Sequence, residues 1–238
     1  MPFRSDGLRP GVCHFPSNAA DGKFYCIAGK NSSGKSTFVS CIASLLKYSG
    51  SINLDGTDVS SFTDRERAKK ICHLSQNVLP VPFTVQTLCS FGRNAYGENS
   101  AVVSEKVRQA LDTMKISHLA DKRVDELSGG EMQLSYFAMN LCQDSDIFLL
   151  DEPTSNLDID REAQILSRAK ELCRCGKTVI CVIHNLSAAL KYADDILVLD
   201  GGRSIFSGSR NDCLEKCIIE ENFGVKRYET DGEIFFSV

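Results

Sequence analysis

A chain of 238 residues, 42% hydrophobic and 24% charged, has the make-up of an ordinary folded protein. It is long enough for one large domain, or a domain with a subdomain. A net charge of −4 and a pI of about 5.6 argue against nucleic acid as a partner, and no stretch reaches the roughly 18 consecutive apolar residues of a spanning helix.

The opening Met1-Pro2-Phe3-Arg4-Ser5-Asp6-Gly7 lacks the apolar core of a signal peptide, so the chain is expected to stay in the cytosol. Phe24–Ala28 reads as a short buried strand, followed by a glycine-rich loop and a helix from Ser36 to about Lys47. That helix carries Phe38, Cys41, Ile42, Leu45 and Leu46 on its apolar side. Gly50–Asp58 reads as a strand with an Asp55-Gly56 turn, Asp64–Lys70 as a charged helix and Ile71–Ser75 as a strand. Pro80 and Pro82 then break the chain. Helical patterns take over: Val103, Val107, Ala110, Leu111 and Met114 share one face, and Gly130 to about Cys142 forms another helix. After that the alternation resumes. Ile147–Leu150, Thr178–Ile183 and Ile196–Leu199 are expected strands, and Ile159–Cys173 and Leu186–Ala193 expected helices. Strands alternating with helices imply an α/β fold with a mostly parallel sheet flanked by helices. The stretch from about 80 to 145 is a helical insertion in that core.

Eleven cysteines are many, but their spacing does not resemble a disulfide framework. Cys26, Cys41, Cys142 and Cys181 lie in apolar runs and read as small hydrophobes, free thiols in a reducing cytosol. The pairs Cys173/Cys175 and Cys213/Cys217 have poor zinc spacing. His14, His73 and His118 match no motif and read as ordinary surface or core residues.

Three segments carry chemistry. The first is Gly29-Lys30-Asn31-Ser32-Ser33-Gly34-Lys35-Ser36-Thr37, a phosphate-binding loop in its required setting between strand and helix. Glycines let the backbone approach phosphate oxygens, consecutive N–H groups make an anion nest, and the helix N-terminus adds its dipole. Lys35 is expected to reach the β- and γ-phosphates, and Ser36 to place its hydroxyl on Mg²⁺. The second is Leu127-Ser128-Gly129-Gly130-Glu131, a glycine-bearing helix start in which Ser128 and Glu131 form a capping-box pattern. The third is Ile147–Leu150 followed by Asp151 and Glu152: a carboxylate at a buried strand end for Mg²⁺, and a neighbour suited to act as general base.

In this order, with Pro153-Thr154-Ser155-Asn156-Leu157-Asp158 after the carboxylates, the chain resembles the ATPase subunit of an ABC (ATP-binding cassette) transporter over nearly its whole length. The resemblance implies a P-loop NTPase core spanning 1–238, with the helical subdomain of about 80–145 carrying the signature motif. It implies ATP and Mg²⁺ as cofactors, with Ser36, Gln76 and Asp151 at the metal. It implies two subunits head to tail, so that Ser128, Gly129 and Gly130 of one cover the γ-phosphate held by the other, with Asp158 in the loop that follows the carboxylates. Glu152 is the implied base, Gln76 the residue that senses Mg²⁺ and the lytic water, and His184 the γ-phosphate switch.

Leu74 through Val85, with its Pro82-Phe83-Thr84-Val85 run and Phe91-Gly92-Arg93 soon after, resembles the ATPases of iron-siderophore, haem and cobalamin importers. The implied partners are an integral membrane permease, a second copy or a homologous ATPase subunit, and indirectly a substrate-binding protein, with the chain on the cytoplasmic face of the membrane. A soluble ABC ATPase serving a protein complex such as iron-sulfur cluster assembly is the alternative, and a nucleotide-dependent binding module without turnover a third reading. Three positions depart from the family pattern. Phe3 is the one aromatic near the place of the usual adenine-stacking residue, and the first strand is short or missing, so poor ATP/GTP discrimination is expected. Met132 replaces an arginine, and Asn185 stands where an Asp commonly follows the switch histidine.

Overall fold

The computed structural model describes residues 22–155, 157–230 and 233–237. Its centre is a six-stranded sheet built on β1 (Phe24–Gly29). On one side of β1 lie β6 (Thr178–Val182), β5 (Ile147–Asp151) and β4 (Ile71–Leu74); on the other lie β7 (Asp195–Asp200) and β8 (Arg203–Ser209). All neighbours run parallel except β7 and β8. Every residue of β1 and β6 is buried, as expected for parallel strands covered on both faces.

The two-residue period of β1 sorts its side chains into two cores. Tyr25 and Ile27 pack with Val39 and Ile42 of α1 (Lys35–Ile42). Phe24, Cys26 and Ala28 face the larger core. There they join Phe137 and Ala138 of α5 (Gly129–Gln143), Ile165 and Leu166 of α6 (Ile159–Arg174), and Leu190 of α7 (Leu186–Tyr192). Cys26 and Cys181 are register partners on adjacent strands and fully buried. Burial pushes the Cys26 thiol up to about 12, so it packs as a small hydrophobe.

Between β4 and β5 the chain makes α3 (Val85–Phe91), α4 (Ser100–Thr113) and α5. Met114, Leu111, Ala110 and Val107 are buried along the expected face, and Val103 is packed against it. Arg93 is buried and fastens these helices. Its guanidinium donates to Glu98 (2.8 and 2.7 Å) and to the Cys142 carbonyl at the C-terminus of α5 (2.7 Å).

Two expectations need correction. The helix after the phosphate loop ends at Ile42, not near Lys47. Ser44 turns into the left-handed region (φ 55) and Leu45 N donates back to the Ser40 carbonyl, which closes the last turn. Leu45 and Leu46 are consequently exposed rather than part of an apolar face. The segment expected as one strand is a small hairpin, β2 (Asn53–Leu54) and β3 (Thr57–Asp58), after which the chain enters α2 (Asp64–Lys70). Asp55 and Gly56 both have positive φ (51 and 78), the geometry of a tight hairpin turn.

Beyond β7 the structure adds elements absent from the expected set. They are β8, α8 (Arg210–Glu215), α9 (Ile218–Phe223) and a hairpin of β9 (Lys226–Thr230) with β10 (Glu233–Ser237). The hairpin packs on α7, where Lys191 pairs with Glu233 (3.0 Å).

Candidate active site

The phosphate loop turns where β1 ends. A Cβ on Gly29 would fall 2.4 Å from the Leu199 carbonyl oxygen and 2.5 Å from Ser33 Oγ, so only glycine fits. Gly34 has φ 98 at the N-terminal end of α1, a second position that favours glycine. The loop is closed by Ser33 N donating to the Lys30 carbonyl (3.2 Å), and it is tied to the β7–β8 turn by Gly202 N donating to the Ser33 carbonyl (3.1 Å). The Ser33 hydroxyl is buried with no hydrogen-bond partner among the described residues. The first turn of a helix leaves its N–H groups without intrahelical acceptors, and here Lys35, Ser36 and Thr37 supply them. Lys35 is 5% exposed, and its ammonium donates to the carbonyls of Gly29 (2.9 Å) and Lys30 (3.0 Å). Burial holds its pKa below the usual lysine range, against the upward pull of Glu152 and Asp151.

The two carboxylates face different neighbours. Asp151, at the buried end of β5, accepts from Ser36 Oγ (3.0 Å), a contact 115 residues apart in the chain. Burial pushes its carboxyl above the usual range, and the Ser36 hydrogen bond opposes this. Glu152 leaves the strand with φ 50, a left-handed backbone that costs a non-glycine residue of order 1–3 kcal/mol. Beyond that turn its carboxylate lies between two partners. Gln76 Nε2 donates to Oε2 (2.6 Å), and His184 Nε2 lies 2.6 Å from Oε1. Gln133, buried on α5, donates to the Pro153 carbonyl (3.1 Å) and holds the turn from behind.

Gln76 follows β4, and His184 follows β6 just before α7. Asn185 is the N-cap of α7 and accepts from Ser187 N (3.1 Å) and Ala188 N (3.2 Å), so it performs the capping an aspartate would. The change from Asp therefore leaves the segment carrying His184 anchored.

The first turn of α5 lies elsewhere. Ser128 and Glu131 form the expected capping box: Ser128 N donates to Glu131 Oε2 (2.9 Å) and Glu131 N to Ser128 Oγ (3.4 Å). Ser128 and Gly129 are exposed, as is Asp158, which caps α6 by accepting from Arg161 N (2.9 Å). Among the described residues, no hydrogen bond or ion pair joins Ser128, Gly129, Gly130 or Asp158 to the phosphate loop. The loop from Gly29 to Thr37, Gln76, Asp151, Glu152 and His184 thus form one cluster, and these four residues stand apart from it.

Sequence reading missed Gln133 as the brace of the Glu152 turn, although a polar residue on the apolar side of a helix is a signal for such a role. It also missed Phe223 of α9. This ring joins Gly29, Lys30, Asn31, Ile183, His184 and Leu186 in lining a cavity of about 300 Å³ beside the loop. No pattern before β8 could have announced it. Phe3 and His14 lie outside the described residues.

The family described as "ABC transporter" matches residues 17–155. The chain is 37% identical over 205 residues to the petrobactin import ATP-binding protein YclP of Bacillus subtilis (strain 168), covering 84% of this chain and 81% of that one. It is 35% identical over 215 residues to the ferric enterobactin transport ATP-binding protein FepC of Escherichia coli (strain K12), covering 87% and 79%. Among solved structures, the ATP-binding cassette MJ0796 bound to ADP and Pi, a dimeric post-hydrolysis state, superposes with a TM-score of 0.74 at 25% identity, covering 81% of this chain and 88% of that one. With its P-loop sheet, its strand-end carboxylates and these likenesses, the chain belongs to the ABC transporter family, as one of its ATP-binding, ATP-hydrolysing chains.

Proposed function

We propose that this chain is the ATPase of an importer for a ferric chelate, a siderophore complex or haem, working as a head-to-tail pair on a membrane permease. The observation that carries the reading is the Glu152 carboxylate, held between Gln76 and His184 beside the Ser36–Asp151 contact. ATP binds with its phosphates on the loop from Gly29 through Lys30, Asn31, Ser32, Ser33, Gly34, Lys35 and Ser36 to Thr37. Lys35 exchanges loop carbonyls for phosphate oxygens, a charge-assisted contact. Glu152 takes the proton of the attacking water, oriented by Gln76 and His184. The Ser36 hydroxyl, the Asp151 carboxylate and the Gln76 amide oxygen are the hard oxygen donors Mg²⁺ prefers, and the buried, raised-pKa Asp151 gains from a cation. Bound there, the ion would neutralise charge on the β- and γ-phosphates.

Ser128, Gly129, Gly130 and Asp158 serve the partner subunit's nucleotide, which accounts for their standing apart from the loop of their own chain. Closure of the pair depends on contacts with the γ-phosphate that hydrolysis removes. The helical subdomain, about 80–145, carries the permease contact. Leu79, Phe83 and Phe91 are exposed there, with Phe83 and Phe91 edge to face at 5.4 Å. Tyr136 of α5 donates to the Leu79 carbonyl (2.7 Å), a direct link between that face and the signature helix. No helix among the described residues is long and apolar enough to cross a membrane, so attachment to the cytoplasmic face runs through the permease. The cargo class rests on the likeness to petrobactin, ferric enterobactin and hemin transport proteins.

The test is purification from native cells in mild detergent. A multi-span membrane protein in near-equal amount, encoded with a ferric-chelate binding protein, is the expected outcome. Soluble partners alone would replace this reading with that of a permease-free ABC ATPase.

A further inference from the structure

The first turn of α5 carries a cation contributed by another helix. Arg161 lies in the first turn of α6, yet its side chain packs against Gly130. A Cβ built on Gly130 would fall 2.0 Å from Arg161 Nη1 and 3.0 Å from its Cδ and Cζ. A Cβ built on Gly129 would meet nothing within 4 Å. The two glycines therefore differ in their reasons. Gly130 makes room for an arginine of its own chain, and Gly129 faces open space.

The guanidinium is ion-paired to Asp158 without a hydrogen bond. Its Nε lies 3.6 Å from Asp158 Oδ2, beyond hydrogen-bond length, and the side chain is 35% exposed. Glu131, the acid on α5, is hydrogen-bonded by the backbone N–H and hydroxyl of Ser128 (2.9 and 2.7 Å), which with the nearby Lys122 and Arg161 charges hold its carboxyl below the usual range. Among the described residues, no oxygen accepts a hydrogen bond from the Arg161 side chain. A cation in the first turn of a helix is also disfavoured by that helix's dipole. Its own helix offers Arg161 a loose ion pair with the Asp158 cap, and the neighbouring turn offers it the space that Gly130 leaves. Met132, next on α5, supplies no charge at this end.

We propose that Arg161 belongs to the phosphate-binding face of the α5 turn: it braces Gly130 and adds a positive charge to the helix N-terminus formed by Ser128, Gly129 and Gly130. The inference rests on the head-to-tail reading above. When a second subunit brings its ATP to this face, dipole and guanidinium act on the same γ-phosphate. The residue would tighten the closed pair while leaving nucleotide binding on its own chain's loop untouched.

The experiment is an ATP titration of dimer formation, followed by sedimentation in a Glu152→Gln background that slows turnover, at low and high salt. ADP affinity of the single chain serves as the control for folding and for the loop. Arg161→Met should raise the ATP needed for half-maximal dimer roughly three- to tenfold and flatten the salt dependence. ADP affinity should not change, and Arg161→Lys should recover most of the loss. Gly129→Ala, whose methyl meets nothing in its own chain, should block dimer formation. If Arg161→Met dimerises at the parent's ATP concentration while Gly129→Ala does not dimerise, the proposal fails and the head-to-tail reading stands. If Arg161→Met weakens the dimer equally at both salt concentrations and Arg161→Lys gives no rescue, the charge has no role and the proposal fails. If neither Arg161→Met nor Gly129→Ala alters dimer formation, the head-to-tail reading falls and takes the proposal with it.

Discussion

Around the phosphate loop, residues scattered from Gly29 to His184 are fastened to one another within a single chain. Lys35 holds the loop carbonyls, Ser36 holds Asp151, and Gln76 and His184 hold Glu152. At the start of α5, Ser128 and Gly129 are exposed and bonded only within their own helix start. Both are phosphate-suited in chemistry: glycines, N–H groups and a helix N-terminus. The closed end carries its counter-charges with it. The open end has the helix dipole and one half-exposed guanidinium, and it is shaped for a surface that its own chain does not supply.

This contrast yields predictions of decreasing size. Replacing a member of the closed end should damage a single chain. Glu152→Gln removes the proton acceptor and keeps the shape, so ATP hydrolysis should fall about 10²–10⁴-fold, measured as phosphate release, with nucleotide binding retained. Hydrolysis at the parent rate would mean that Glu152 is not the base. Lys35→Ala should weaken nucleotide binding by about 1.5–3 kcal/mol, roughly ten- to a hundredfold in a fluorescent-nucleotide titration, because a charge-assisted phosphate contact is lost. An unchanged affinity would break the assignment of the closed end to phosphate.

The smallest effect has the opposite sign. Asp151 is held above its usual pKa by burial, so the folded state binds its proton more tightly than the unfolded state does. Its contribution is favourable below the unfolded value and is lost as pH rises through the folded one. At neutral pH the nucleotide-free protein therefore carries a buried charge at a cost. Asp151→Asn keeps an oxygen for the Ser36 hydroxyl, and it should raise the stability of the nucleotide-free chain by about 0.5–1 kcal/mol in a urea melt while removing Mg²⁺-dependent hydrolysis. The gain should disappear at pH values below the carboxylate range, where the parent Asp151 is protonated. A loss of stability at neutral pH would show that Lys35 and Ser36 more than offset the burial of Asp151.

Much of the closed end could be read directly because its parts are local patterns. A loop between strand and helix and a buried strand ending in two acids each lie within about ten residues, where spacing and chemistry are set by the backbone alone, and the same holds for the capping box at the open end. Gln76 and His184 were recognisable as strand-end residues through family likeness; their meeting on the two oxygens of Glu152 was not. Leu45 and Leu46 misled because a helical apolar period continues past the point where Ser44 leaves the helix.

By itself, then, the order of residues determined the alternation of strands and helices, the phosphate loop and the acid pair, since these depend on neighbours in the chain. Only the tertiary structure decided the rest. The sheet order that sets β5 between β4 and β6 brings Gln76, Glu152 and His184 to one point. The packing of α5 on α6 sets Arg161 under Gly130, and α9 brings Phe223 beside the loop. These contacts join residues far apart in sequence, and no local period encodes which distant side chain will fill a space that a glycine leaves open.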